Sequence, residues 1–165
     1  MFPHLQSLNL KEWIDSNRDK TLTTIWEDSD FWAFVTRGPN PRKEFHVNPY
    51  DEIFYQVEGD LQLHYVNADG KQALAVMKPG ELFLMPAGVP HSPRRAEGSW
   101  TYVVERKRRP DTTDRWQWYC DACDAKLHEV SVPSGSAAVV AAGLAALSED
   151  AKLRTCARCG HTSSF

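Results

Sequence analysis

The stretch RKEFHVNPYDEIFYQVEG, Arg42–Gly59, carries His46 and Glu52 inside a segment whose apolar residues otherwise alternate as in a half-buried strand. Successive strand residues point to opposite faces, so only one of the adjacent acids Asp51 and Glu52 shares a face with His46, and the even spacing favours Glu52. Around it, from Thr21 to Glu105, run TLTTIW, FWAFVTR, EFHV, EIFYQVEG, DLQLHYV, QALAVM, ELFLMP and SWTYVVE, short segments rich in β-branched and aromatic residues. Turn chemistry separates them, notably Asn67-Ala68-Asp69-Gly70 and Lys78-Pro79-Gly80. The pattern predicts an all-β domain, a sandwich or barrel, with a double-sheet jelly roll among the ways to limit exposed edges.

Upstream, NLKEWIDSNRD reads as a short helix with Asn9 as N-cap and Glu12 completing a capping box. Downstream of Pro110 the character changes. DTTDRWQWYCDACDAKLHEV is polar and aromatic, and PSGSAAVVAAGLAALSEDAKL predicts an alanine-rich helix over 136–148. The expected organisation is therefore a barrel over 1–110 and a C-terminal extension over 111–165. The helix is too short to span a membrane, and its Ala and Val content is expected to pack on the barrel or between the subunits of a homodimer.

With 165 residues, 42% of them hydrophobic, the chain can bury one good core and a small appendage. A net charge of −3, with Arg106-Lys107-Arg108-Arg109 the one basic run, argues against nucleic acid, and that run reads as the solvated end of a strand. The opening MFPHLQSLNLKEW has no charged region followed by an apolar core and a small-residue cleavage site, and no apolar run is long enough to cross a bilayer. A cytoplasmic protein is expected. In a reducing compartment, Cys120, Cys123, Cys156 and Cys159 read as two CxxC pairs of a closed tetrahedral site for Zn or Fe, structural rather than catalytic. Gly160 follows the second pair where a knuckle needs a turn, and Asp124 stands at the equivalent place in the first.

A second stretch, GELFLMPAGVPHSPRR, brings His91 after a Pro-x-Gly turn. Two imidazoles and one carboxylate, His46, His91 and Glu52, would bind one face of a divalent metal and leave other positions open, an arrangement that suits non-haem Fe(II) holding an organic substrate and dioxygen. His4, His64, His128 and His161 have no partner motif and read as surface or hydrogen-bonded residues.

GPNPRKEFHVNPYDEIFYQVEG, with Gly38, His46, Glu52 and Gly59, resembles the first cupin motif, and GELFLMPAGVPHSPR, with Gly80, Pro86, Gly88 and His91, resembles the second. The resemblance implies a small jelly-roll barrel. Asn48 stands where cupins usually place a further histidine, and Arg95 where they usually place Asn, which leaves three ligands. Those departures, with the trailing CxxC pairs, resemble the bacterial form of the 3-hydroxyanthranilate 3,4-dioxygenase family over most of the chain. The resemblance implies that His46, Glu52 and His91 hold catalytic Fe(II), and that Arg42, Arg95 and Glu105 join Glu52 around an aromatic carboxylate carrying amino and hydroxyl groups. Arg95 would grip the carboxylate, with Arg42 as the alternative or as a stabiliser of negative charge on oxygen. Glu105 would orient the amino and hydroxyl groups and accept a proton. The implied reaction inserts O2 as co-substrate beside the hydroxyl-bearing carbon and opens the ring to 2-amino-3-carboxymuconate semialdehyde, a precursor of quinolinate on the kynurenine route from tryptophan to NAD. The competing readings are a non-catalytic cupin with a zinc-ribbon-like tail that senses a small acid, and another cupin enzyme such as an isomerase or thiol dioxygenase.

Overall fold

The computed structural model describes residues 7–27, 29–40, 42–133 and 137–165, so His4 lies outside the described residues. Helix α1 (Leu10–Asp15) begins as expected: the Asn9 side chain accepts hydrogen bonds from the Lys11 and Glu12 amides at 3.1 and 3.2 Å, and its own amide donates to Glu12 Oε1 at 3.1 Å. The helix buries Ile14 against Val35 and Trp100 on the outside of the barrel.

Eleven strands follow: β1 (Leu22–Trp26), β2 (Phe31–Arg37), β3 (Phe45–Val47), β4 (Glu52–Glu58), β5 (Leu61–Val66), β6 (Gln72–Met77), β7 (Leu82–Met85), β8 (His91–Arg95), β9 (Trp100–Arg106), β10 (Thr113–Tyr119) and β11 (Lys126–Pro133). They form two antiparallel sheets, ordered β1-β2-β9-β4-β7 and β11-β10-β3-β8-β5-β6. The eight strands β2 to β9 give the orders 2-9-4-7 and 3-8-5-6, the arrangement of a jelly roll. Phe34, Phe54, Leu61, Leu63, Met77, Met85 and Val103 fill the space between the sheets.

Strands β8, β10 and β11 lie outside the runs that the sequence pattern predicts as strands. Both latter strands lengthen the second sheet beyond β3, with Trp116 opposite His46 and Gln117 opposite Phe45. Helix α2 (Ala137–Glu149) lies within one residue of its expected bounds, and α3 (Ala151–Arg154) leads into the second cysteine pair. A Cβ on Gly143 would stand 3.1 Å from Val130 and 3.2 Å from Trp118, so the helix approaches the β10–β11 surface as closely as glycine permits. Within the chain, the helix packs on the sheet extended by β10 and β11. Among the described residues, no helix is long and apolar enough to cross a membrane.

The interior rows of three strands build the site in layers. On β4, β8 and β9 the inward residues run Glu52, Phe54, Gln56; His91, Pro93, Arg95; and Glu105, Val103, Thr101. Register places Glu52 opposite Glu105, Phe54 opposite Val103 and Gln56 opposite Thr101. The barrel therefore holds an ionisable layer, an apolar layer and a second polar layer, all buried.

Candidate metal centre and substrate cavity

His46 and His91 face each other across β3 and β8 on one sheet, while Glu52 projects from β4 of the other. Glu52 Oε1 lies 3.2 Å from His91 Nε2 and 3.5 Å from His46 Nδ1. Those are separations expected of atoms that share one ion at about 2.1 Å, so the three side chains fit a metal. Burial works to raise the Glu52 carboxyl, but the two imidazoles and an Asn48 hydrogen bond hold it below the usual range, ready as an anionic ligand. Asp51, its neighbour, is exposed and accepts the Ala87 amide at 2.8 Å.

The nitrogen of each ring away from Glu52 is also held. His91 Nδ1 lies 2.9 Å from the Val89 carbonyl, and His46 Nε2 lies 3.1 Å from Asp114 Oδ1. The His46 ring also stacks on Trp116, with centroids 4.6 Å apart and planes at 20°. Asn48, read from sequence as a lost ligand, is a clamp: its amide donates to Glu52 at 2.7 Å and to Glu105 at 2.6 Å, while its oxygen accepts the Tyr50 amide. Glu105 also accepts from Arg108 Nη2 at 3.0 Å. Burial, followed by the Glu52 charge, pushes the Glu105 carboxyl up to about 7, where proton uptake and release are both accessible near neutral pH.

Arg108 corrects the reading of the basic run as solvated. Arg106 and Arg109 are exposed, but Arg108 turns inward, and its Nε donates to both oxygens of Asp114 at 2.8 Å. Two carboxylates, Glu105 and Asp114, thus flank this guanidinium, and Asn48 ties Glu105 to a third, Glu52, giving an excess of acidic groups suited to a cation.

The metal cluster opens into a cavity of about 510 Å³. Trp32, Phe34, Phe54, Pro93 and Val103 supply apolar wall, with Ala141 and Leu144 of α2, while Arg42 and Arg95 supply positive charge. Arg95 Nε donates to Thr101 Oγ1 at 2.9 Å; that hydroxyl donates to Gln56 Oε1 at 2.8 Å, and the Gln56 amide donates to the Glu58 and Gly59 carbonyls. This buried chain fixes the guanidinium and leaves its terminal nitrogens without a partner among the described residues. Burial, followed by the Arg42 charge, disfavours the Arg95 cation. A guanidinium keeps its proton, so the imbalance is expressed as affinity for an anion. Arg42 lies 4.9 Å over the Trp116 ring, and its Nε and Nη2 are buried without a hydrogen-bond partner, the Glu44 ion pair at 3.2 Å being off the hydrogen-bond line. The segment carrying Arg42 is sewn to β8 through Asn40, whose side chain accepts the Arg95 amide and donates to the Pro93 carbonyl at 2.9 Å. Gly38 permits that approach, since a Cβ there would stand 2.0 Å from the Ala96 carbonyl oxygen.

A metal cluster, an adjoining pair of guanidiniums with donors left open and a buried carboxyl poised near neutrality point to oxidative or acid–base chemistry on a small acid. Comparison with known proteins is more specific. The family model for 3-hydroxyanthranilic acid dioxygenase matches residues 1–139. The chain belongs to this family.

A relative from Bacillus cereus named 3-hydroxyanthranilate 3,4-dioxygenase is 37% identical over 163 residues, covering 95% of this chain and 91% of its own. One of the same name from Neurospora crassa is 34% identical over 158 residues, covering 93% and 87%. Among solved structures, a cupin-2 domain-containing protein from Shewanella frigidimarina covers 60% of this chain and 93% of its own at 22% identity, with a TM-score of 0.48.

In this member of the 3-hydroxyanthranilic acid dioxygenase family the four cysteines form a second cluster that fits a metal ion. Sγ atoms of Cys120 and Cys159 lie 3.7 Å apart, and those of Cys123 and Cys156 3.6 Å, close to the roughly 3.8 Å of thiolates placed tetrahedrally at about 2.3 Å. The two knuckles are wired alike. Asp124 and Gly160 donate their amides to the carbonyls of Cys120 and Cys156, at 3.0 and 2.8 Å, and both adopt positive φ, 62° and 74°. Asp124 is therefore a structural equivalent of Gly160, because aspartate tolerates the left-handed region better than most residues. Lys43 Nζ donates to the Ser164 carbonyl at 2.7 Å, tying the second knuckle to the segment that carries Arg42. Replacing Cys156 by serine is expected to empty this cluster and lower the unfolding midpoint by about 5–10 °C, roughly 2–3 kcal/mol at 2–4 °C per kcal/mol, with the barrel metal retained. Metal analysis and calorimetry together check this.

All ten residues selected from sequence, His46, Glu52, His91, Arg42, Arg95, Glu105 and the four cysteines, fall in one of these two clusters or line the cavity. His64, His128 and His161 lie outside both clusters. Asn48, Arg108, Asp114 and Trp116 join the site without a spacing signal in the sequence.

Proposed function

We propose that the protein is an Fe(II)-dependent 3-hydroxyanthranilate 3,4-dioxygenase, acting on 3-hydroxyanthranilate and O2 to give 2-amino-3-carboxymuconate semialdehyde, the precursor of quinolinate in NAD synthesis from tryptophan. The observation that carries the reading is a His-Glu-His cluster in one cavity of suitable size with two guanidiniums, Arg95 without an ion pair among the described residues and Arg42 with Nε and Nη2 left without a hydrogen bond. His46, Glu52 and His91 would hold the iron, which supplies Lewis acidity and one-electron chemistry toward the ring substituents and dioxygen. Arg95, held through Thr101 and Gln56, receives the ring carboxylate, and Arg42 beside it adds positive charge where oxygen gains electron density. Glu105 takes the proton released as the hydroxyl and amino groups engage the site, and Asn48 keeps its carboxyl turned toward Glu52. Phe34, Phe54 and Val103 exclude water from the apolar layer that the ring crosses.

The reading extends to a cytoplasmic homodimer in which a barrel over 1–110 is completed by an extension over 111–165 whose cysteine cluster holds Fe or Zn for structural purposes. Oxygen uptake by anaerobically Fe(II)-loaded protein given 3-hydroxyanthranilate tests it. Rapid uptake with formation of the semialdehyde, absent in His46→Ala, is the expected result. No uptake from protein with confirmed barrel iron would overturn the substrate assignment and favour the small-acid sensor.

A further inference from the structure

Asp114 reaches the metal cluster from β10, 68 residues beyond His46 in sequence. The strand supplies two supports to the same ring. Trp116 covers one face of His46, and Asp114, two residues earlier on the same face of the strand, meets Nε2 at 3.1 Å. A carboxylate opposite Nε2 favours the neutral tautomer protonated there, which leaves the lone pair on Nδ1, the nitrogen turned to Glu52. The Asp114 carboxylate is itself held from both oxygens by Arg108 Nε at 2.8 Å. The other two nitrogens of that guanidinium are also engaged, Nη1 with the Arg106 carbonyl at 2.8 Å and Nη2 with Glu105 at 3.0 Å.

We propose that Asp114 and Arg108 are positioning residues: Asp114 sets the tautomer and direction of the His46 ring, and Arg108 locks that carboxylate to Glu105, so that ligand and proton acceptor keep one geometry. A merely structural ion pair would not need to meet an imidazole at one end and the proposed proton acceptor at the other. The proposal rests on His46 being a metal ligand, and its test reads binding and tautomer independently of turnover.

The full-length protein is titrated with Co(II), whose thiolate charge-transfer bands report the cysteine cluster separately from the barrel site. Asp114→Ala is expected to weaken barrel Co(II) binding 10- to 100-fold, while Asp114→Asn, whose amide oxygen can still accept from Nε2–H, stays within a few-fold of the unmodified protein. Arg108→Gln, which frees the carboxylate without removing it, is expected to fall between them. In parallel, 15N NMR of the metal-free protein is expected to place the His46 proton on Nε2, and to find mixed tautomers in Asp114→Ala. If Asp114→Ala fails to fold, the Arg108→Gln affinity and the tautomer of the unmodified protein still decide the matter. Unchanged Co(II) affinity in the alanine or glutamine variant, or a proton on Nδ1 in the unmodified protein, would overturn the proposal. Failure of the unmodified protein to take Co(II) into the barrel would overturn instead the metal-centre reading beneath it.

Discussion

Glu52→Ala protein is expected to leave purification without barrel metal and to consume no oxygen above background. Glu52 is the anion that touches both imidazoles, and it is 4% exposed. Without it a divalent ion would meet two neutral nitrogens in a site that excludes most water. Losing an outer partner of a ligand typically costs 10- to 100-fold in affinity, and losing the charged ligand itself is expected to exceed about 100-fold. Asn48 would lose one of its two carboxylate acceptors, so Glu52→Gln, which keeps the side chain's length and an oxygen, separates loss of charge from loss of shape. Metal content of the barrel, read with the cysteine cluster as internal reference, checks the result. A Glu52→Ala protein with full metal and normal uptake would show that the ligand set lies elsewhere.

Arg95→Ala is expected to raise KM for the aromatic acid by roughly 30-fold or more, with metal content unchanged. Truncating one partner of a buried hydrogen-bonded charge pair costs about 2–5 kcal/mol, and each 1.4 kcal/mol is tenfold. Arg95→Lys should recover little, because the ammonium cannot keep the Nε contact to Thr101 and present two further donors in a plane. Arg42→Ala is the control. Arg42 stacks on Trp116 and is tied less rigidly than Arg95, so its loss is expected to depress kcat more than it raises KM. The reverse split, with KM responding to Arg42 alone, would transfer the carboxylate to Arg42.

The sequence made the barrel legible because most of its strands obey one rule: apolar residues alternate with polar ones, and turn residues mark their ends. It concealed β8 because HSPRR breaks that rule for a functional reason. The inward side chains of this strand are His91, Pro93 and Arg95, so its buried face is polar at both ends. Strands β10 and β11 do alternate, with Trp116 and Trp118 two apart, but the adjoining cysteine pair drew the segment toward a metal-knuckle reading. The ligands were legible because they fall at the intervals of two cupin-like motifs; Glu52 comes from the sheet opposite His46, so strand alternation alone did not constrain it. Asp114 and Arg108 were not, since nothing local to a run of four basic residues indicates that the third folds back between two carboxylates. Asn48 illustrates a different limit. A family pattern identified it as a missing histidine, whereas its contribution, joining two carboxylates from adjacent strands, depends on a pairing that only the folded sheets reveal.

The three-residue strand β3 takes β8 on one side and β10 on the other. On the ribosome those neighbours arrive at different times. β8 is already synthesised when residue 110 emerges, but β10 is not, and at about 5–20 residues per second the wait from β3 to β10 lasts several seconds. Until then His46 has neither Trp116 nor Asp114 beside it, and β3 presents an open edge able to pair with another chain. The brevity of β3 is a safeguard during that interval, because three residues offer a poor template for intermolecular sheet. The metal centre consequently matures late, and a polypeptide ending near Pro110 would hold all three ligand residues while lacking the strand that steadies one of them.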